Sequence, residues 1–134
     1  MNRLNILLTL SAILLPLSVG CGPQPVTGGT SGTLVTSGNP LGEMQVHVYR
    51  SDAADDTPLG FGVTAADGSF ELVQPAAAGP LQLEPGKYLF TVESVGSPVI
   101  LPKKYASRKT TPLEVDWLPD QPLELDIPGL KLPR

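Results

Sequence analysis

Glycine and proline punctuate this chain so closely that long helices do not fit between them: 14 glycines and 15 prolines are spread over 134 residues. Proline removes a backbone donor and clashes with the preceding helical turn, and glycine loses the most conformational freedom on ordering. Many of the short stretches between these breaks alternate apolar and polar side chains. A period of two puts every second residue on one face of an extended strand, so the chain is expected to fold from half-buried strands.

Read in order, Thr33 to Thr36 is a first short strand, turned by Ser37-Gly38-Asn39-Pro40. Met44, Val46 and Val48 share one face of the next, with Gln45, His47 and Tyr49 on the other. Ser51 to Pro58 is a polar loop. Leu59, Phe61 and Val63 then alternate with Gly60 and Gly62, and Asp67-Gly68 offers the positive φ of a hairpin turn. Ser69 to Val73 returns with Phe70 and Leu72 inward. Between Pro75 and Gly79-Pro80, the alanines 76 to 78 have room for one helical turn. After Glu84-Pro85-Gly86, Lys87 to Val95 is the longest strand, with Tyr88, Phe90 and Val92 on one face. Val99-Ile100-Leu101 reads as a short strand and Lys103 to Thr111 as a polar loop. Leu113, Val115 and Trp117, then Leu123, Leu125 and Ile127, complete the pattern. About seven short strands separated by turns predict an all-β, two-layer antiparallel sandwich, immunoglobulin-like in its layering.

The segments Thr64-Ala65-Ala66-Asp67-Gly68-Ser69-Phe70 and Glu84-Pro85-Gly86-Lys87-Tyr88-Leu89-Phe90 resemble the carboxypeptidase regulatory-like domain. Gly32-Thr33-Leu34-Val35, Pro40-Leu41 and Met44 to Val48 fill the earlier slots of that pattern. Pro102-Lys103-Lys104-Tyr105 and Thr110 to Val115 look like a small-lipoprotein branch of it. The resemblance spans roughly residues 30 to 128. It implies a transthyretin-like, Greek-key sandwich in which Asp67-Gly68 closes a turn, Phe70 and Tyr88 anchor the core, and no motif residue is catalytic.

The first twenty-one residues carry their own message. Met1-Asn2-Arg3 is a short positive start, Leu4 to Leu17 is almost entirely apolar, and Ser18-Val19-Gly20 are small. This is the layout of an export signal, and the apolar run is shorter than the ~20 residues that span a bilayer as a helix. Leu17-Ser18-Val19-Gly20-Cys21 resembles a lipobox, which makes Cys21 the expected lipidation site. The expected organisation is a signal peptide at 1–20, a flexible tether at 21–31 behind the acylated Cys21, a sandwich domain at 32–128 and a tail at 129–134. The protein is then exported to the cell envelope and held to a membrane by its acyl groups. Gly22 follows Cys21 in place of the aspartate that resembles an inner-membrane retention signal in some bacteria, which points to the outer membrane.

Chemistry is sparse. Cys21 is the single cysteine, so no internal disulfide forms, and His47 is the single histidine. Counting alone argues against a zinc or copper site, against the two-histidine, two-tyrosine iron site of intradiol dioxygenases, and against hydroxyisourate hydrolases. No Gly-x-Ser-x-Gly elbow presents a serine to His47. A non-enzymatic module without a cofactor is the expectation. The formal net charge of −4 disfavours nucleic acid.

Three features remain. Asp52, Asp55 and Asp56 share a loop without the spacing of a calcium loop, and read as a solvated acidic segment. Lys103, Lys104, Arg108 and Lys109, around Tyr105, form the most polarised stretch of the chain. They are a candidate patch for an acidic polysaccharide, anionic headgroups or an acidic partner. Tyr49 and Tyr105 are candidate stacking aromatics. The leading expectation is therefore a membrane-anchored structural or interaction module of the envelope. The alternative is a binding module for an anionic glycan or partner through the Lys103–Lys109 loop.

Overall fold

A computed structural model describes residues 25–133, and Cys21 with the expected export signal lies outside them. The described residues are all-β, with eight strands in two sheets and two short 3₁₀ turns at Pro75–Ala77 and Lys103–Ala106. In chain order the strands are β1 (Ser31–Thr36), β2 (Asn39–Pro40), β3 (Met44–Arg50), β4 (Gly60–Val63), β5 (Ser69–Glu71), β6 (Gly86–Ser94), β7 (Glu114–Trp117) and β8 (Leu123–Asp126).

One sheet runs β4-β3-β6-β7 and is antiparallel throughout. Its spine is the ladder from Met44 opposite Ser94 to Arg50 opposite Tyr88. Met44, Val46, Val48, Phe90 and Val92 all point inward from this ladder and are fully buried. Burying a side chain of that size stabilises by roughly 1.5–3 kcal/mol, so the alternation read from the sequence is what drives the sheet together.

The second sheet is built around β1, which pairs antiparallel with β5 through its first half and with β2 through its last two residues. Its other edge holds β8, and this pair is parallel, with Gly32 opposite Leu123 and Val35 opposite Asp126. The expectation of a wholly antiparallel sandwich is corrected here. Parallel neighbours cannot be joined by a tight turn. In this chain everything from β2 to β7 forms the connection, so no local pattern announces it. Leu34, Leu72, Leu125 and Ile127 face the first sheet and close the core.

Other expectations shift as well. The Asp67 turn forms as read: Gly68 N–H donates to the Ala65 carbonyl, and Asp67 Oδ1 accepts from Ser69 N–H at 3.0 Å and from Ser69 Oγ at 2.6 Å. Yet it joins two sheets rather than two strands of one ladder, because β4 pairs with β3 and β5 with β1. In β4 the buried residues are Gly60 and Gly62, while Val63 is exposed. A Cβ on Gly60 would sit 2.1 Å from the Val73 carbonyl oxygen, so only glycine lets the chain pass this close. Val99-Ile100-Leu101 is not a strand. The flanking prolines at 98 and 102 cannot donate to a ladder, and Ile100 stands 88% exposed.

Both ends of the domain reach further than the alternation indicates. Thr30, expected in the tether, is buried, and its Oγ1 accepts from Leu83 N–H at 2.9 Å. Leu130, expected in the tail, donates its N–H to Thr36 Oγ1 at 3.2 Å and packs against the core.

Candidate functional site

The structure divides the Lys103–Lys109 stretch: its three lysines stay exposed, while Tyr105 and Arg108 are drawn inward. The stretch leaves β6, makes a 3₁₀ turn and crosses back to β7. Tyr105 is only 4% exposed and belongs to the core cluster. A phenol ring cannot stay in water beside an apolar sheet when it can cover that sheet, and the turn geometry places it inward. Lys103, Lys104 and Lys109 remain exposed, with the Lys104 ammonium 5.3 Å from the centre of the Tyr105 ring.

Arg108 is committed elsewhere. Its Nη1 donates to the Asp55 carbonyl at 2.6 Å and to Asp56 Oδ1 at 3.1 Å. Its Nη2 donates to the carbonyls of Arg50, at 3.3 Å, and Ala53. The guanidinium also lies 6.0 Å from the centre of the Tyr49 ring. The polar loop after β3 thus folds its oxygens around one cation, and that cation is a side chain of the same protein. A planar fork with five donors suits such a ring of carbonyls. Arg108 and Asp56 are thereby removed from the set of free charges, and Tyr49 from the set of free stacking faces. Asp52 and Asp55 stay exposed at the loop surface.

His47 lies half-buried on the outer face of the first sheet, its ring 6.2 Å from that of Phe61 on the neighbouring strand. That is a cross-strand packing contact. Nearby, Tyr88 Oη donates to the Glu84 carbonyl at 2.6 Å. Burial raises the phenol above its ordinary value and the Arg50 charge pulls it back down. Arg50 pairs with Glu84 at 3.6 Å on the surface.

A different region was not singled out by sequence reasoning. Of the exposed large aliphatics among the described residues, Val63, Val95, Ile100 and Leu132 lie at one end of the molecule and Leu118 at the other. That end is the start of β3, where Glu43 accepts from Val95 N–H and donates to the Thr64 carbonyl. Two shallow grooves of about 600 and 450 Å³ flank the last residues there, and Leu132 and Pro133 line both. The available signal was Ile100 itself, an aliphatic residue between two prolines, which the alternation reading placed in a short strand.

The opposite end receives the chain from its N-terminal side. Gly28 N–H donates to Glu71 Oε2 at 3.2 Å, and Gln82 Nε2 donates to the Gly28 carbonyl. Thr30, Trp117 and Leu123 surround a third groove of about 330 Å³ there.

No protein-family model matches the chain, no curated protein sequence matches it, and no solved structure matches it.

Proposed function

We propose that this chain is an envelope lipoprotein: an exported, non-enzymatic interaction module held to a membrane by acyl groups on Cys21. The observation that carries this reading is the order of Arg3, the apolar run Leu4 to Leu17, and Leu17-Ser18-Val19-Gly20-Cys21. We further propose that the sandwich is of the transthyretin-like, Greek-key kind. The Asp67 turn, the core positions of Phe70 and Tyr88, and the Pro85-Gly86 start of β6 support it.

The bonds at Gly28 make the tether shorter than the composition of residues 21–31 suggests. Six residues lie between Cys21 and Gly28, and the seven steps span roughly 25 Å at most when fully extended. The domain then stands close to the lipid surface, with the Gly28 end toward it.

The test is the intact mass of the protein from its host, together with membrane fractionation. The expected mass is Cys21 to Arg134 plus a diacylglyceryl and an acyl group, and the expected location is the membrane fraction. Cys21→Ser should release the protein. An unmodified chain in the soluble fraction would sink the anchor and leave a diffusible domain.

A further inference from the structure

We propose that the end of the domain formed by Ile100, Leu132 and the start of β3 docks an extended aliphatic segment of a partner polypeptide, whose carboxylates meet Lys103 and Lys131. This names the partner class for the interaction module proposed above, and the choice of a polypeptide over a bilayer rests on the anchor of that reading.

Three observations converge. Exposed aliphatics on a small soluble domain are ordinarily scattered singly, whereas here Val63, Val95, Ile100 and Leu132 share one end. Ile100 is held out by prolines 98 and 102, so its exposure belongs to a stiff backbone and needs little ordering on binding. The grooves beside it are open troughs rather than closed cavities, which suits a chain lying along the surface.

Charge selects the partner. Arg50 and Arg108 are both in ion pairs, while Lys103, Lys104 and Lys131 are in none among the described residues. Lys131 lines the larger groove and Lys103 follows Pro102 at its edge. The larger groove, lined by Lys131 with Lys103 at its edge and by no acidic residue, favours aliphatic side chains flanked by carboxylates, whereas Glu43 lines the smaller one.

Position argues against lipid. The chain enters at the far end of β3, and its 7 residues put roughly 20 Å between the two ends. A domain anchored through Cys21 turns Ile100 away from the membrane that holds it.

The experiment is an NMR titration of the protein as its host processes it, with Cys21→Ser so that no acyl group competes for the groove. Its outcome therefore stands whether or not Cys21 is acylated in the host. The probes are a short peptide alternating Glu with Leu and Ile, the same peptide with Lys for Glu, and vesicles containing phosphatidylglycerol. The acidic peptide should shift the amide signals of Ile100, Leu101, Leu130 and Leu132, and bind at least about ten-fold more tightly than the basic one. Ile100→Glu, on an exposed residue, should weaken it by about ten-fold or more with the remaining spectrum unchanged, and Lys103→Glu with Lys131→Glu by several-fold. Equal response to both peptides, no response to either, vesicles moving these signals, or the same signals shifting with protein concentration alone would each overturn the proposal.

Discussion

The two sheets are built on opposite plans. The β4-β3-β6-β7 sheet is laid down along a long, uninterrupted antiparallel ladder whose inward residues are all large and apolar. The sheet around β1 has no such ladder. Its one long strand is shared among β2, β5 and β8, each contributing a few pairs from a different part of the chain. The first sheet derives its stability from side-chain burial distributed over many positions. The second has its close backbone passage at the middle of its pairing, at Gly32, where a Cβ would meet the Phe70 ring at 2.7 Å and the Leu123 carbonyl at 2.9 Å, whereas in the first sheet such a passage is confined to the β4 edge, at Gly60. A distributed interface degrades by degrees, whereas a crossing point fails when one atom is added.

Phe90→Ala should give the largest loss. Phe90 is completely buried on β6, and truncating such a side chain costs about 3–5 kcal/mol. Urea denaturation should show one lowered midpoint for the whole domain, since both sheets share that core. Separate transitions for the two sheets would break the comparison as drawn.

Gly32→Val should cost about 1–3 kcal/mol by overpacking, and it should act locally first. Hydrogen exchange is expected to show β8 and β5 losing protection while β3 and β6 keep theirs. Uniform loss of protection would mean that the β1 sheet is no more dependent on its crossing point than the other.

Arg108→Ala sharpens the contrast at the edge of the regular sheet. The guanidinium holds loop carbonyls and the Asp56 carboxylate, and hydrogen bonds of this kind are worth about 1–3 kcal/mol in total once loop ordering is counted. Residues 51–57 should become protease-sensitive, with the β3–β6 ladder intact. Calcium should not restore the loop, because the site is shaped for a planar donor.

The smallest effect is expected at the turn between the sheets. The Ser69 hydroxyl and then the Ser69 N–H hold the Asp67 carboxylate below its ordinary value. A depressed carboxylate adds stability above its unfolded value and loses it as pH falls through the folded one. Asp67→Ala should therefore lie slightly below the parent protein in urea midpoint at neutral pH, and the gap should close as the pH falls below the ordinary carboxylate range. A gap that persists in acid would assign the turn to backbone geometry alone.

The candidate surface was half legible in advance. Four lysines and arginines around Tyr105 were visible as a cluster, but their division was not. Whether Arg108 faces solvent depends on a loop some fifty residues earlier that presents its carbonyls, and whether Tyr105 is exposed depends on the β6 face beneath it. Ile100 falls within an expected short strand because three aliphatics in a row look like one. Exposure there followed from the two prolines and from the absence of a partner edge.

What the sequence by itself determined is local. Alternation specified β1, β3, β6, β7 and β8, since a period of two can bury only one face of each strand. The glycines and prolines set where those strands stop. The residues from Leu17 to Cys21 settled which reading of the N-terminus to test, because that motif is a short linear one. Only the tertiary structure decided that β8 lies parallel to β1, that β4 turns its glycines inward, that Arg108 serves the acidic loop, and that Ile100 and Leu132 line one groove. Each of these depends on groups far apart along the chain arriving at the same place, and side-chain periodicity holds no information about which distant backbone will be the neighbour.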